Sequence, residues 1–136
     1  MADLTQTPGD VQLRGIGTVY EAGTLAETVA QGQPVYFDAT SNGYKQASGN
    51  SEDESKAKGV TLTKGDNGDQ VLIVTSGGMD IGAAHTEGEW YGVSDTSGAI
   101  RPIGELGSGK WETLLGVAVA SDHLDVHVIH APIDSS

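Results

Sequence analysis

The chain has 136 residues, the size of one ordinary domain, and carries 19 acidic and 7 basic side chains for a formal net charge of −12. A field of this sign repels phosphate backbones and anionic lipid, so neither nucleic acid nor a membrane is expected as a partner. The absence of cysteine excludes disulfides, thiolate metal sites and cysteine nucleophiles.

The composition favours short strands and many turns. Glycine occurs 20 times while aromatic residues make up only 5% of the chain, so few bulky side chains can fill a core. No apolar run approaches the roughly 20 residues of a membrane-spanning helix, and the first ten residues lack the regions of a signal peptide. Synthesis and folding in a cytoplasm are therefore expected. A mainly β fold is predicted, as a small β-barrel, a β-tulip-like domain or a sandwich.

Three segments are predicted along the chain: an N-terminal arm over residues 1–13, a β-rich domain over residues 14–130 and a C-terminal tail over residues 131–136. The first ten residues are polar, include Pro8, and have no apolar period, so this segment is expected to lack core contacts of its own. From Val11 to residue 20, alternation and glycines favour an extended backbone.

A β-hairpin is predicted from residues 34–38 and 43–46, because Asn42 and the glycine after it supply the positive φ angles of a tight turn. The β-branched runs at residues 59–63 and 70–75 flank a turn cluster and are expected to pair as neighbours. Further strands are predicted at residues 79–82, 90–94, 99–101 and within 113–129, giving about ten in total.

One short helix is predicted within residues 51–58. Ser51 is followed three residues later by Glu54, the spacing of a capping box, and acidic residues occupy the first turn. Lys58 and a glycine then suit the end of the helix.

A weak internal echo separates similar residues by about 56 to 57 positions. The matching positions are Gly32 and Gly88, Tyr36 and residues 91–93, residues 40–41 and 96–97, and residues 59–60 and 116–117. Two related β-units are one interpretation, and shared turn composition is the other.

Three motifs resemble functional sites, but each lacks a feature that the site requires. Residues 104–110 read like a phosphate-binding loop until Trp111, which stands where a hydroxyl should reach magnesium. The acidic turn at residues 65–69 lacks the closing glutamate and the spacing of a calcium loop. His123 and His127 lie four apart on a predicted strand, about 13 Å at 3.3 Å per residue, which is too far for shared ligation. No enzymatic activity, cofactor or metal is expected.

The scarce large aromatics have two interpretations. Trp90 and Trp111 are candidates for core filling, as is common in a glycine-rich chain, and they are also candidates for an oligomer interface.

Several of these segments together resemble the small head decoration, or cement, proteins of tailed bacteriophages. The segments are residues 29–39, 59–62, 70–78, 81–83 and 114–120. The resemblance covers roughly residues 23–129 and rests on patterned glycines and strands. It implies a β-rich fold with an extended N-terminal arm, bound to the major capsid protein on the outer surface of the virion. It also implies a homo-oligomer, a trimer or else a dimer, at three-fold or quasi-three-fold positions.

The arm is predicted to contact the capsid by pairing an extended backbone with a strand edge of the shell. The candidate contact residues are Leu4, Thr5, Gln6, Val11 and Leu13. An acidic exterior would keep decorated particles from associating with one another. The alternative is a carbohydrate-binding or host-adhesion module on the virion, which would expose Trp90 and Trp111 together.

Overall fold

The computed structural model describes residues 6, 11–13, 18–82, 86–94, 96–102, 111–120, 123–128 and 133–134. Within these ranges it contains one helix, α1, and twelve strands. The strands are β1 (Gln12–Leu13), β2 (Val19–Thr24), β3 (Pro34–Asp38), β4 (Gly43–Gln46), β5 (Ala57–Thr61), β6 (Gln70–Asp80), β7 (Trp90–Val93), β8 (Ile100–Pro102), β9 (Trp111–Glu112), β10 (Leu114–Ala120), β11 (His123–His127) and β12 (Ile133–Asp134). The prediction of a mainly β fold is confirmed.

The strands form one curled antiparallel sheet, a half-barrel in shape. Its order is β4-β3-β5-β6-β11-β10-β7-β8, while β1 and β2 also pair with β6, and β12 pairs with β9 in a separate two-stranded sheet. The eleven-residue strand β6 is central, because its first half pairs with β5 and its second half with β11. The predicted hairpin is confirmed as β3 and β4, and so is the pairing of β5 with β6. Asn42 has the predicted positive φ, 54°, whereas Gly43 does not have one and begins β4.

The helix α1 (Glu52–Ser55) lies inside the predicted range but is only one turn long. Ser51 caps it: the serine hydroxyl accepts from the Glu54 amide at 3.2 Å and donates to the Glu54 carboxylate at 3.1 Å, which confirms the side-chain cap. The prediction is wrong at the C-terminal end, because Lys58 already belongs to β5 and forms an ion pair with Glu21 at 3.4 Å. The pairing of its neighbours Ala57 and Gly59 with β3 outweighs the helical preference of that lysine.

Two other strand boundaries differ from expectation. The predicted strand at residues 79–82 is the end of β6, which continues through Gly77 at φ 103° instead of breaking there. The predicted stretch within residues 113–129 divides into β10 and β11, which pair with each other. The glycine-rich loop at residues 104–110 lies outside the described residues.

Two halves of the sheet are built alike. The first unit is β3, β4, β5 and the start of β6, and the second unit is β7, β8, β10 and β11; both run outward from the centre in the same order. Pro34 pairs with Val60 in the first unit, and at the positions that the sequence echo makes equivalent, Trp90 pairs with Val117 in the second. In both β3–β5 and β7–β10, a bulge interrupts the register after the next residue pair.

Glycines mark the same equivalence. An added Cβ would lie 2.2 Å from the carbonyl oxygen of Val74 at Gly59 and 2.2 Å from that of Asp125 at Gly116, the matching position of the second unit. The echoed pair Gly32 and Gly88 have φ angles of 79° and 85°. The internal echo in the sequence is therefore a structural repeat, which shared turn composition does not explain.

The main core lies between the two units. Both units contribute apolar side chains to it. Two backbone hydrogen bonds also link the two halves: Gly49 N–H donates to Ser94 O at 2.8 Å, and Gly98 N–H donates to Ala47 O at 2.9 Å. A smaller second core packs the chain around Leu25 and Val29 over the opposite face of the first unit, against Val35, Val71 and Ile73. The first unit is thus covered on both faces.

Candidate interaction surfaces

Among the side chains that the structure describes, five large apolar ones are exposed on the strands, and they define the candidate surfaces. They are Val19, Tyr20, Phe37, Trp90 and Val119, each about half exposed. Three are aromatic, in a chain with only seven aromatic residues. Exposed aromatics in so sparse a supply are typical of contact surfaces, since they contribute most to binding at protein interfaces.

The first surface, the Trp90 face, is formed by Trp90, Val117 and Val119 on the outer side of β7 and β10. Trp90 and Val117 are direct partners across the two strands, and Val119 follows two residues later on the outward side of β10. Trp90 is 43% exposed and Val119 is 46% exposed. The structure thus places Trp90 on the surface rather than in the core.

Trp111 lies in β9, and its backbone pairs with Asp134 in β12. The structure describes nothing of its side chain, so its place at an interface stays a prediction.

The second surface is the tip of the first hairpin, where the rings of Phe37 and Tyr44 meet edge to face with centroids 5.4 Å apart. Beside them the Lys45 ammonium lies 3.1 Å from the Asp38 carboxylate. The hydrogen bond from Lys45, followed by that from Ser41, holds the pKa of Asp38 below its usual value, and the same contact raises the pKa of Lys45. Both groups stay charged near neutral pH.

The N-terminal segment is tied to the domain more closely than the sequence suggests. Val11 is 8% exposed and belongs to the main core, and Leu13 pairs with Met79 in β6. The Gln6 side-chain amide donates to the carbonyl oxygens of Gly32 at 2.5 Å and Ile81 at 2.8 Å. Burial of Val11 and pairing with β6 stabilise residues 11–13 in place. The expected lack of core contacts concerns the first ten residues, of which the structure describes Gln6, and it stays a prediction.

The structure describes three of the five capsid-contact candidates, and their contact with a capsid stays a prediction. The Val11 side chain is buried in the main core and is not exposed in this conformation. The side-chain amide of Gln6 forms its hydrogen bonds within the same chain. Leu4 and Thr5 lie outside the described residues. For Leu13 the described feature is its backbone pairing in β1.

Replacing Gln6 with alanine is expected to lower the free energy of unfolding by about 1 to 2 kcal/mol. The change leaves two carbonyl oxygens of partly buried backbone without this donor, and each such loss costs roughly 1 kcal/mol. Urea denaturation of the variant beside the wild type measures the effect. Equal midpoints with equal slopes would show that Gln6 contributes nothing to the fold.

A cavity of about 470 Å³ opens beside the acidic turn, lined by residues 28–30, residues 64–66 and Asp69. Its carboxylates serve the turn itself: Asp69 accepts from the Asp66 amide at 2.8 Å, and Asp66 accepts from the Thr28 hydroxyl at 3.2 Å. The arrangement is that of a hydrogen-bonded turn, as the sequence indicates.

The outer side of β11 carries the polar side chains predicted for it. Leu124 and Val126 are buried, while Asp125 and His127 are exposed and His123 is partly exposed, which confirms the alternation. In the part of the chain that the structure describes, no three His, Asp or Glu side chains are grouped to hold one metal ion.

No family model matches this chain. A search of curated proteins also finds no match. Among the described residues, no helix has the length and apolar character needed to cross a bilayer.

Sequence reasoning missed Val119 and Phe37 as surface residues. Residues 114–120 form a continuous apolar run, which is typical of a strand buried on both faces, so Val119 reads as core. Phe37 sits in an alternating hairpin and reads as inward.

Proposed function

We propose that this chain is a structural virion protein, a head decoration protein that binds the outer surface of a tailed-phage capsid and stabilises the shell. The observation that carries a contact function is the exposure of three of seven aromatics, Tyr20, Phe37 and Trp90, on the faces of strands. A small domain that places scarce aromatics on its surface gains energy from them only by covering them with a partner.

The resemblance to decoration proteins supplies the partner class, and the fold is consistent with it. The matching segments fall in the hairpin strand β3, in β5, along the central strand β6 and in β10. The resemblance therefore concerns the framework of the domain. The net charge of −12 would place an acidic coat on the particle and limit aggregation.

The proposed shell contact moves toward the N-terminus. Since Gln6 and Val11 are engaged by the domain, strand addition to the capsid is assigned to the residues before Gln6, with Leu4 and Thr5 as the contacts. The hydrogen bonds of Gln6 hold one end of this short segment at the domain, so less conformational entropy is lost when the segment binds the capsid.

Co-sedimentation with empty shells, assembled from the major capsid protein of the same genome, tests the proposal. Saturable binding at a fixed ratio to capsid subunits is expected. Deleting residues 1–5 removes backbone hydrogen bonds of about 1 kcal/mol each and should weaken binding by roughly tenfold or more. The melting temperature should stay unchanged, because the deletion leaves Gln6 in place.

Alanine substitution of Lys64, an exposed residue outside the arm, is the control and should bind nearly as well as the wild type. Shells that sediment without the full-length protein at all concentrations would refute the decoration role. Unchanged binding of the truncated protein would refute the arm contact alone.

Glycan binding is the second candidate, favoured by the Phe37–Tyr44 pair beside a charged Asp38. Aromatic rings with an adjacent carboxylate can stack on a sugar and bind its hydroxyl groups. Retention of the wild type, but not of the variant Phe37→Ser, on immobilised host-surface glycan would favour this function over shell binding.

A further inference from the structure

The chain contains three asparagines, at positions 42, 50 and 67, and two of them are followed directly by glycine. Asparagine is a chemically labile residue, since the backbone nitrogen of the next residue can attack its side-chain carbonyl carbon. Glycine in that next position favours the attack, because it has no Cβ to obstruct the ring that forms. The two Asn-Gly pairs, Asn42–Gly43 and Asn67–Gly68, are therefore the candidate sites of this reaction.

The first pair is held between two parts of the chain. Asn42 is exposed, but Gly43 is buried and lies opposite Asp38 in the β3–β4 pairing. A Cβ added to Gly43 would lie 3.0 Å from the Cβ of Ala26 and 3.1 Å from the carbonyl oxygen of Thr24. Ring closure at this pair requires the Gly43 nitrogen to move, and that movement must separate the start of β4 from β3 and from the chain around Ala26.

The second pair lies in the acidic turn, where residues 66–69 are all exposed. Gly68 has φ 94°, and a Cβ added to it would meet no atom within 4 Å, so there is open space for a ring and for a water molecule that attacks it. The Gly68 N–H donates to the Leu25 carbonyl oxygen at 2.8 Å. Breaking this one hydrogen bond frees the nitrogen, and such a local opening leaves the neighbouring strands paired.

The side chain of Asn67 is also free to react. It forms no hydrogen bond with the described residues. By contrast, the side-chain amide of Asn50 donates to the Ser48 hydroxyl at 2.8 Å, and the next residue is a serine. We propose that Asn67 is a self-modification site of this protein, at which the side-chain amide is lost and an isoaspartyl or aspartyl residue forms.

The reaction needs only the chain and water. The Gly68 nitrogen forms a bond to Cγ of Asn67 while the bond from Cγ to Nδ2 breaks. The proton of the Gly68 N–H leaves with the side-chain nitrogen, which departs as ammonia, and a cyclic imide remains. Water then adds to one of the two imide carbonyls and yields aspartate or, where the backbone now runs through Cγ, isoaspartate. Because the attacking nitrogen must lose its proton, the rate rises with pH.

The product alters the acidic turn. Either acid adds a negative charge beside Asp66 and Asp69. Isoaspartate also inserts a methylene group into the backbone before Gly68. The bond from the Asp69 N–H to the Asp66 carbonyl oxygen, 2.9 Å long, and the bond from Gly68 to Leu25 then no longer fit the same turn. The modification needs no partner, so the inference stands apart from the proposed capsid function.

Storage of the purified full-length protein at mildly alkaline pH, followed by peptide mapping with mass spectrometry, tests this inference. The conversion of each asparagine is measured over time, and a methyltransferase specific for isoaspartate identifies that product. In the folded protein Asn67 should convert roughly tenfold faster than Asn42 or more, because fewer interactions must open. In urea both Asn-Gly pairs are equally exposed, so their two rates should become similar.

Asn67→Gln and Asn42→Gln are the matched variants, since glutamine closes the corresponding larger ring far more slowly. The first should remove most of the isoaspartate signal of the folded protein, and the second should leave that signal unchanged. Equal rates for the two asparagines in the folded protein, or a signal that survives Asn67→Gln, would overturn the inference. Conversion of both pairs in urea but of neither in the folded protein would also overturn it, because the hydrogen bond of Gly68 would then protect the turn.

Discussion

Replacing Gly116 with alanine is expected to lower the free energy of unfolding by about 3 kcal/mol or more. The new Cβ would lie 2.2 Å from the carbonyl oxygen of Asp125, which belongs to the backbone of the paired strand β11. No rotation of a side chain can relieve such a contact, so β10 and β11 must separate, and forced overpacking of this kind typically costs about 1 to 3 kcal/mol and occasionally more. Urea denaturation followed by circular dichroism measures the loss.

The internal repeat provides a twin and a control for this experiment. Gly59→Ala should cost about as much, because its Cβ would meet the Val74 carbonyl oxygen at the same 2.2 Å. Gly88→Ala places a methyl group in open space at φ 85°, so only the left-handed backbone is penalised, by about 1 kcal/mol. A similar loss in all three variants would show that conformational freedom, and not close strand approach, fixes these glycines.

The elements that could be predicted from sequence are those set by neighbours along the chain. The β3–β4 hairpin follows from Asn42, whose positive φ forms the turn, and the start of α1 follows from the Ser51 and Glu54 pair, because the groups that stabilise each turn lie within a few residues. The alternation that buries Leu124 and Val126 is likewise local.

What could not be predicted depends on contacts between distant residues. The burial of Val11 requires Met79 and Ile81, which lie in the second half of the chain, to be in place, and no local pattern reports that. The residue of β6 at which its partner strand changes from β5 to β11 also depends on how the whole sheet curls. The candidate surface shows the same limit: the sequence alone does not tell whether Trp90 lies in the core, and only the pairing of β7 with β10 places its side chain on the surface.

The internal repeat combines local sequence signals with contacts between distant residues. Its local signals, glycines that recur at a nearly constant spacing, are visible in the sequence, and the registers of β3–β5 and β7–β10 show that they mark equivalent strand approaches. The side chains at equivalent positions then diverge with their surroundings. Val35 packs in the small second core, whereas its counterpart Tyr91 packs in the main core between the units.

Tyr91→Ala is expected to be among the most destabilising substitutions in the chain, with a loss of about 3 to 5 kcal/mol in the free energy of unfolding. Tyr91 is the largest of the fully buried side chains in the described part of the chain and lies in the main core that joins the two units. Truncation to alanine removes the transfer energy of the ring and leaves a cavity that backbone pairing in β7 keeps from closing. Denaturation with urea should show a lower midpoint for the variant.

Tyr91→Phe separates the ring from its hydroxyl group. The hydroxyl oxygen accepts from the Thr86 amide at 2.9 Å, and because Thr86 is exposed, water can replace that bond at a cost of about 1 kcal/mol or less. The phenylalanine variant should therefore keep most of the stability that the alanine variant loses. If both variants lost the same amount, the hydroxyl contact would be the source of the stability, and packing between the two units would contribute less than the burial of Tyr91 implies.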